Sequence, residues 1–453
     1  SFHMDIALVV LAAGKGTRMN SDLPKVLHPL AGAPLLIHAM QAGASLSPLH
    51  TVVVAGHGAD AVRAAVLDHD PATHVVEQIE QLGTAHAAAQ ARDTLKSFDG
   101  TAIVLFGDTP FVHPDTLAAM VQAQADYDVV VLGFEAADPA RYGRLVMADD
   151  ILEKIVEFKD ATDAERAITI CNSGVIACNS ALLFDLIDEI GNDNAAQEYY
   201  LPDVVGLARA RGLKATVVRC DESETLGINT RAELASAEAA FQARARQQAF
   251  EDGVTMPAPD TVYFAFDTVI GRDTVVEPHV VFAPGVTVES RATIRAFSHL
   301  EGCHVARGGV IGPYARLRPG TELSENVRVG NFVEMKNARI GTGTKVNHLS
   351  YIGDATLGER TNVGAGTITC NYDGVMKHHT HIGDDVFIGS NTMLVAPVHI
   401  GDHAMTGSGS VITSDVEPEA LALARAPQIE KPGMAKKLFA MLKAKKAQQQ
   451  RGS

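Results

Sequence analysis

The sequence contains no tryptophan and only five cysteines among its 453 residues. The cysteine count is odd and there is no C-x-x-C pair, so we expect reduced thiols and a cytoplasmic protein rather than a disulfide framework. Basic residues are scarce as well, with 38 Lys and Arg against 54 Asp and Glu, a formal charge of −16. This balance argues against a protein that works by binding the phosphate backbone of nucleic acids, and we expect no nucleic-acid partner. A few local cations would still suffice for small anionic ligands.

Long apolar runs are also missing. The first run, Ile6 to Ala13, is followed at once by Gly14-Lys15-Gly16. It is too short to cross a membrane and lacks the flanks of a signal peptide, so we expect no membrane span. Ser1-Phe2-His3 precede Met4 and are set aside as a remnant of cloning. The chain is too long for one hydrophobic core, and we expect two or three domains.

The second half of the chain repeats with a period of six residues. From Ile270 to Ile412 an aliphatic residue recurs at nearly every sixth position, often followed by glycine, as in IGDDVF and IGSNTM. This period fits neither an amphipathic helix nor a two-faced strand. It predicts a solenoid of short parallel strands, each with one inward aliphatic residue and a small residue at each corner. The stretch resembles the left-handed parallel β-helix of hexapeptide-repeat acyltransferases. A purely structural spacer remains an alternative, because a solenoid alone carries no chemistry.

The first half alternates apolar strands with helical segments. Strands are predicted at Ile6–Leu11, Thr51–Ala55, His74–Val76, Ala102–Phe106 and Val129–Phe134, and helices at Pro34–Ala42, Ala59–Leu67, Thr84–Leu95 and Pro114–Gln124. Such alternation predicts an α/β domain with a mostly parallel, doubly wound, Rossmann-like sheet. Ligands of these sheets lie beyond the carboxyl ends of the strands.

A glycine-rich turn follows the first strand. The stretch Leu11-Ala-Ala-Gly-Lys-Gly-Thr-Arg-Met19 is followed by Leu23-Pro24-Lys25. Its glycines let backbone N–H groups approach a phosphate, and Lys15, Arg18 and Lys25 bring three cations to the same turn. The stretch lacks the Gly-Lys-Ser/Thr of a Walker A loop and the third glycine of a Rossmann fingerprint. It resembles the signature of nucleoside-triphosphate:sugar-1-phosphate nucleotidyltransferases.

Further polar residues follow later strands. Asp108, after Phe106-Gly107, could hold Mg²⁺ over a triphosphate, although alone it also fits a turn aspartate. The remaining residues are each polar residues near a turn, but their order and spacing match the sugar- and uracil-binding positions of the uridylyltransferase branch. They are Gln78, Gly83, Thr84, Gly143, Glu157, Asn172 and Asn229.

An alanine-rich segment from Thr230 to about Glu251 joins the halves. It is strongly helical, and Thr230 with Glu233 predicts a capping box. It would form either a rigid rod between two domains or a helix packed along the first. We therefore expect a nucleotidyltransferase domain at 4–231, a helical linker at 232–252 and a β-helix domain with a C-terminal tail at 253–453.

Two features interrupt the hexad period. Between Val363 and Ile382 an insertion carries Asn371, Tyr372 and several histidines, and insertions of this kind leave a solenoid as loops on one face. We expect a substrate-lining loop there rather than a metal site. Separately, Arg318, Lys336, His348 and Tyr351 fall on nearby coils and can converge in space.

These motifs cover almost the whole chain, which resembles the bifunctional bacterial N-acetylglucosamine-1-phosphate uridylyltransferase/glucosamine-1-phosphate acetyltransferases. The resemblance implies that the C-terminal half acetylates glucosamine 1-phosphate from acetyl-CoA. The N-terminal half would then join the product to UMP from UTP, releasing pyrophosphate and UDP-N-acetylglucosamine. It also implies Mg²⁺ as cofactor and a homotrimer formed through the β-helix, with each acetyltransferase site shared between subunits.

The same resemblance assigns residues to roles. The nucleotide sugar would be bound by Leu11, Ala12, Ala13, Gly14, Lys25, Gln78, Gly83, Thr84, Phe106, Gly107, Asp108, Gly143, Glu157, Asn172 and Asn229. Asp108 and Asn229 would hold Mg²⁺, with Arg18 and Lys25 as catalytic cations on the phosphates. His348 would be the catalytic base. The amino sugar phosphate would be held by Arg318, Lys336, Tyr351, Asn362 and Asn371, and acetyl-CoA by Ala365, Tyr372, Ser390, Ser408 and Arg425.

The departures from the family pattern are Phe106, Ala85 and Ser408, and none removes a charge or a metal ligand. Two rival interpretations differ in class. One is a single-activity nucleotidyltransferase with a structural β-helix, which the His348–Tyr351 and Asn371–Tyr372 motifs oppose. The other is a non-catalytic sugar-nucleotide sensor, which Asp108, Lys25 and His348 oppose.

Overall fold

The structure, a computed structural model, describes residues 4–453, and Ser1, Phe2 and His3 lie outside the described residues. The chain forms two compact units. One comprises the chain up to Arg246 together with Phe264–Phe266, and the other comprises Gln247–Tyr263 and Asp267–Ser453. None of the helices between residues 4 and 453 combines the length and apolar character that a bilayer span requires.

The first unit is built on a nine-stranded sheet. Its strands, with a small hairpin formed by β2 and β3, are β1 Ile6–Ala12, β2 Pro29–Leu30, β3 Ala33–Pro34, β4 His50–Ala55, β5 His74–Glu77, β6 Thr101–Phe106, β7 Val129–Glu135, β8 Arg144–Ala148, β9 Ile151–Val156, β10 Ile170–Asn179 and β11 Ala215–Cys220. The helices that begin in this unit are α1 Leu35–Ala44, α2 Ala59–His69, α3 Thr84–Ala89, α4 Pro114–Ala123, α5 Asp163–Arg166, α6 Ser180–Asp188, α7 Asp203–Ala210 and α8 Arg231–Glu251. Short 3-10 turns lie at Thr17–Met19, Lys25–Leu27, Phe158–Asp160 and Glu222–Thr225.

The sheet confirms the predicted doubly wound arrangement. Its order is β11-β7-β10-β6-β1-β4-β5, with β8 paired to β10 and β9 paired to β8. β1 is buried along its whole length and pairs in parallel with both β4 and β6. Alternate residues of β1 enter two separate cores, Ala7, Val9 and Leu11 on one face and Leu8, Val10 and Ala12 on the other. A strand covered on both faces has apolar residues at every position, and this continuous apolar run is what predicted β1 from the sequence.

One helix of this unit is shorter than predicted, and the structure decides between the two alternatives for the long helix α8. The helix expected over Thr84–Leu95 ends at Ala89, because the bonds that follow are three-residue turns such as Ala91 N–H to Ala88 O. The long helix α8 begins beside Thr230, whose Oγ1 accepts a bond of 3.1 Å from the Glu233 N–H. Its Ala237 packs with Leu30, Leu35 and Phe111 of the first unit, so its first half is a packed helix rather than a free rod.

The second unit is a left-handed parallel β-helix of hexapeptide repeats, as predicted. Its strands are β12 Val269–Ile270, β13 Val275–Val276, β14 Val281–Phe282, β15 Thr287–Val288, β16 Thr293–Ile294, β17 His299–Leu300, β18 Cys303–Val305, β19 Val310–Ile311, β20 Ala315–Leu317, β21 Thr321–Leu323, β22 Arg328–Asn331, β23 Val333–Ile340, β24 Lys345–His348, β25 Tyr351–Leu357, β26 Asn362–Val363, β27 Ile368–Cys370, β28 Thr380–Ile382, β29 Phe387–Ile388, β30 Met393–Val395, β31 Val398–Ile400, β32 Met405–Thr406, β33 Val411–Ile412 and β34 Leu421–Ala422. A 3-10 turn lies at Pro259–Thr261, and helix α9 Met434–Arg451 follows the coils.

Each strand pairs in parallel with the corresponding strand of the next coil, usually three strands later in the chain, so the strands form three faces. Val281 lies opposite His299, one turn of the coil later. β13, β16, β19, β22, β24, β26, β29, β32 and β34 form one face. β23 pairs with β20 through Val333–Met335 and with β21 through Arg339–Ile340, so this long strand turns a corner and belongs to two faces.

The hexad residues fill the interior. Met335, Ile352 and Ile388 are fully buried, and the first residue of the series, Ile270, is only partly buried. Thr406, the polar exception, is also buried, and its Oγ1 accepts a 3.0 Å hydrogen bond from the Gly389 N–H. A hydroxyl can replace an aliphatic residue here because it has a partner.

The expectation of a small residue at each corner is wrong along one edge. There the left-handed backbone conformation is taken by His279, Phe297, Tyr314 and Phe332, with φ between 56° and 61°. Their side chains point away from the coil, so size is not limited. Successive rings stack with centroids 4.9, 5.0 and 5.4 Å apart. Left-handed backbone costs about 1 kcal/mol per residue, and aromatic stacking offsets a similar amount. We call these four residues the aromatic ladder.

Two candidate active sites

A cleft opens in the first unit at the carboxyl ends of β1 and β6. Its volume is about 260 Å³. The predicted residues that line it are Leu11, Ala12, Ala13, Gly14, Lys25, Gln78, Gly83, Thr84, Phe106 and Asp108. Gly107 lies beside it, where its N–H donates to the Leu11 carbonyl at 2.9 Å. Arg18 instead lies exposed on the turn Thr17–Met19 and does not line the cleft.

One cation occupies the polar end of this cleft. The Lys25 ammonium donates to Asp108 Oδ2 at 2.7 Å and to Asn229 Oδ1 at 2.9 Å. The side chain of Lys25 is 12% exposed and that of Asp108 24%. The two residues predicted to hold a metal thus direct oxygen atoms to one point, although they are far apart in sequence.

Glycine is required beside this lysine. Gly16 has φ +60°, and a Cβ placed on it would lie 2.5 Å from Cβ of Lys25. The stem of Lys25 therefore packs directly on the Gly16 backbone. This contact explains why a second glycine follows Lys15 in the turn.

A second cavity adjoins the first and shares Thr84, Phe106 and Tyr200 with it. Glu157 lines this cavity, and a Cβ on Gly143 would lie 3.2 Å from Glu157 Oε1. Asn172 is adjacent, since its N–H donates to the Gly143 carbonyl at 2.9 Å. The predicted sugar-binding residues are therefore neighbours. Partial burial, assisted by the carboxylates of Asp203 and Asp160, raises the pKa of Glu157.

Sequence reasoning missed Tyr200 and Glu198, which also line the first cleft. Backbone bonds bring their loop to the turn after β5. Tyr199 N–H donates to Leu82 O at 2.8 Å, and Ala85 N–H donates to Tyr199 O at 2.9 Å. A Cβ on Gly83 would lie 2.4 Å from Tyr199 O, so this close approach needs glycine. Gly83 was the only signal in the sequence, and a glycine does not indicate which distant segment packs against it.

In the second unit, six residues form one column along an edge of the coil. Asn331 and His348 are register partners at the ends of β22 and β24. Backbone bonds continue the column, from Gly366 N–H to His348 O, from Asn391 N–H to Ala365 O and from Gly409 N–H to Ser390 O. Arg425 reaches back to donate to the Ser408 carbonyl at 2.7 Å. The column is therefore Asn331, His348, Ala365, Ser390, Ser408 and Arg425, which includes four of the five residues expected at acetyl-CoA.

His348 is exposed, and Nδ1 of its ring lies 3.1 Å from Oδ1 of Asn331. An amide oxygen only accepts, so this contact assigns the ring proton to Nδ1 and leaves Nε2 as the free acceptor. Asn331 was not predicted from the sequence. Its role becomes visible only when the coil places residues seventeen positions apart on top of each other.

A polar cluster lies on the next face, beyond the corner at Leu349. Asp354 is buried and accepts from the amides of Asn337 at 2.9 Å and Asn371 at 2.7 Å, with the Lys336 ammonium 3.4 Å away. Burial alone would raise the pKa of Asp354, but these hydrogen bonds and the ammonium lower it. The Asn371 amide also donates to the Tyr351 hydroxyl at 3.2 Å.

Two further cations adjoin this cluster. Lys377 belongs to the insertion, and the adjacent ammonium of Lys336 lowers the pKa of Lys377. Arg318 lies on the same side and pairs with Glu334 at 3.3 Å. Three cations face two carboxylates, so the cluster retains a positive charge suited to an anion. Neither Asp354 nor Lys377 was predicted.

Two predicted residues stand apart from these groups. Asn362 is exposed on β26, and Tyr372 is 59% exposed with its hydroxyl donating to the Gly374 carbonyl at 2.7 Å. The histidines of the insertion do not assemble a metal site, because no group of three or more potential His, Cys, Asp or Glu ligands occurs among residues 4–453. His378 pairs instead with Asp373 at 2.8 Å, and this bond lowers the pKa of Asp373 to about 2.

The geometry defines the protein's class. A cleft at a glycine turn of a doubly wound domain, in one chain with a hexapeptide coil, is the architecture of a nucleotidyltransferase fused to an acyltransferase. Residues 8–174 match the family model of the MobA-like NTP transferase domain, and residues 379–414 match that of the bacterial transferase hexapeptide (six repeats).

Full-length relatives identify the family. The bifunctional protein GlmU of Roseobacter denitrificans is 78% identical over 450 residues, covering 99% of this chain and 100% of the relative. The GlmU proteins of Ruegeria pomeroyi and Ruegeria sp. are 68% and 66% identical, with the same coverage. The chain belongs to the GlmU family. It is a bifunctional transferase that makes UDP-N-acetylglucosamine through an acetyltransferase and a uridylyltransferase activity, as expected from the sequence. The single-activity and sensor interpretations are wrong.

Proposed function

We propose that uridylyl transfer takes place in the cleft beside Lys25 and Asp108, and acetyl transfer at the column that contains His348. The convergence of Lys25, Asp108 and Asn229 supports the first assignment. The His348–Asn331 contact, within a column of exposed or partly exposed residues, supports the second. UTP and N-acetylglucosamine 1-phosphate are the substrates of the first site, and acetyl-CoA and glucosamine 1-phosphate those of the second.

The uridylyl step needs positioning and charge neutralisation more than covalent help. A phosphate oxygen of the sugar phosphate attacks the α-phosphorus of UTP, and the bond to pyrophosphate breaks. The Gly14 turn presents backbone N–H groups to the phosphates, and Lys25 supplies positive charge inside the cleft. Arg18, exposed on the turn Thr17–Met19, would have to reach in to contact the phosphates. Gly143, Glu157 and Asn172 hold the sugar in the adjoining cavity.

Asp108 and Asn229 suit a magnesium ion. Carboxylate and amide oxygens are ligands that Mg²⁺ accepts, and the two oxygens already point to one cation. When bound, the ion would neutralise phosphate charge. Two protein ligands also leave most of its coordination to water and phosphate oxygens, which is the usual pattern for Mg²⁺ with nucleotides.

Acetyl transfer requires a base. The ammonium of glucosamine 1-phosphate must lose a proton before nitrogen attacks the thioester carbon, and the C–S bond then breaks to release the CoA thiol. Nε2 of His348 accepts that proton while Asn331 holds Nδ1–H. Ala365, Ser390, Ser408 and Arg425 extend from His348 along the edge, where an elongated CoA molecule would lie. Arg318, Lys336 and Lys377 hold the substrate phosphate.

A homotrimer would complete this second site. The His348 column and the Lys336 cluster lie on adjoining faces of a three-sided coil, and such faces turn away from each other. A second chain would supply the opposite wall. The aromatic ladder supports this placement, because it leads along the edge towards His348 and leaves Phe297 50% and Phe332 56% exposed. Exposed apolar surface of this kind is typical of subunit interfaces. The five unpaired thiols agree with a cytoplasmic location.

Two separate assays test these assignments. One follows CoA thiol release from acetyl-CoA with glucosamine 1-phosphate, and the other follows pyrophosphate release from UTP with N-acetylglucosamine 1-phosphate and Mg²⁺. We expect Asp108→Ala to abolish pyrophosphate release and spare acetylation, and His348→Ala to do the reverse. Loss of both activities in a folded Asp108→Ala protein would contradict two independent sites.

A further inference from the structure

The cation position between Asp108 and Asn229 is taken by a side chain of the protein itself. Lys25 Nζ lies 2.7 Å from one oxygen and 2.9 Å from the other, and these contacts bury most of its side chain. The other oxygen, Asp108 Oδ1, accepts a hydrogen bond of 3.3 Å from the Thr109 hydroxyl.

We infer that Lys25 is a resident counter-ion that keeps the metal position closed until nucleotide arrives. In the free enzyme the Lys25 ammonium neutralises the Asp108 carboxylate, and a divalent ion would have to share that carboxylate with the ammonium. A triphosphate provides enough negative charge for both cations. The ammonium would then turn to the phosphates, and Asp108 and Asn229 would be left to hold the metal. This inference rests on the proposed metal-binding role of those two residues.

The stem of Lys25 limits this movement to its tip. Its Cβ packs on Gly16, at the place where a side chain of residue 16 would otherwise lie. The remaining methylenes can rotate, so the ammonium can exchange partners while the backbone stays fixed. The consequence is that metal and nucleotide bind cooperatively, because each lowers the cost of admitting the other.

The test measures Mn²⁺ binding to the full-length protein without nucleotide, from the electron paramagnetic resonance signal of free Mn²⁺. We expect weak binding to the wild type and binding tighter by roughly tenfold or more in Lys25→Met, since a unit positive charge about 3 Å from the site is removed. Lys25→Arg keeps the charge and should bind as weakly as the wild type. Lys15→Met removes the same charge from an exposed position of the same turn and is the matched control.

The outcomes separate the inference from the function on which it rests. If Lys25→Met, Lys15→Met and the wild type bind Mn²⁺ with equal affinity, the exchange is overturned. The metal site itself still stands in that case if Asp108→Asn abolishes the Mn²⁺ binding that UTP induces in the protein, measured in excess of Mn²⁺ binding to UTP alone. If Asp108→Asn leaves the UTP-induced Mn²⁺ binding unchanged, and also leaves Mn²⁺ binding unchanged when it is combined with Lys25→Met, the proposed metal ligands are wrong. Thermal unfolding confirms that each variant is folded. If Lys25→Met is unfolded, Lys25→Gln makes the same comparison.

Discussion

Asn331 Oδ1 lies 3.1 Å from His348 Nδ1, and the two residues are register partners on successive coils. The repeat itself creates this pair, because one turn of the coil places the end of β22 under the end of β24. The imidazole of His348 therefore acquires a defined tautomer from the residue one coil earlier. Orientation of a catalytic imidazole by a fixed acceptor is a common requirement for general base catalysis.

Removal of this acceptor should slow acetyl transfer without weakening substrate binding. In Asn331→Ala we expect kcat of the acetyltransferase to fall by about tenfold, with KM for both substrates nearly unchanged. His348→Ala should lose about 10²–10⁴ in kcat, the usual contribution of a positioned base. Steady-state thiol release distinguishes the two roles, because Asn331→Ala retains the imidazole and should keep much more activity than His348→Ala. An increase in KM alone in Asn331→Ala would argue for a structural role.

A methyl group on Gly16 should damage the other activity. Gly16→Ala places Cβ 2.5 Å from Cβ of Lys25 and at a φ of +60°, where a side chain costs about 1 kcal/mol. The stem of Lys25 must shift, and the ammonium should leave Asp108 and the phosphate position. We expect uridylyl transfer to fall by roughly tenfold or more, with acetylation unchanged. Gly206→Ala, where a Cβ meets nothing within 4 Å, is the control.

The raised pKa of Glu157 predicts a pH dependence of sugar binding. A carboxyl whose pKa is raised takes up its proton at a higher pH than an ordinary glutamate, so it stops accepting hydrogen bonds from sugar hydroxyls sooner on acidification. Affinity for N-acetylglucosamine 1-phosphate should therefore fall on acidification at a higher pH than it would with an ordinary glutamate in this position. Calorimetric titration of the wild type against Glu157→Gln isolates this effect, because titration of the ligand phosphate is common to both. Parallel profiles for the two proteins would exclude Glu157 as the group responsible.

Much of the fold could be predicted because its signals are local and periodic. The hexad marks Met335 or Ile388 as interior from sequence alone, and the apolar run of β1 marks a buried strand. Glycines near Lys25 and Thr84 marked the turns that line the cleft. Each of these residues is determined by the conformation of its own segment, so the local sequence is enough to predict it.

The rest depended on contacts between distant segments. Asp354 joins the polar cluster because Asn371, one coil later, donates to it. Tyr200 enters the cleft because the N–H of the preceding residue, Tyr199, donates to Leu82 O. The corner residues of the aromatic ladder were predicted to be small because the outward direction of their side chains is not encoded in the period. Stacking between coils, rather than local propensity, determines what these positions tolerate.

A negative charge on the aromatic ladder should dissociate the proposed trimer. Tyr314 stacks between Phe297 and Phe332 and is 49% exposed, so Tyr314→Glu leaves the coil interior intact while it places a carboxylate in an apolar interface. We expect monomers by light scattering, loss of acetylation because the second wall of the site is gone, and normal uridylyl transfer. Phe250→Glu, at an exposed aromatic residue on α8, is the matched control and should remain trimeric. A trimeric Tyr314→Glu protein with full acetyltransferase activity would place the subunit interface elsewhere on the coil.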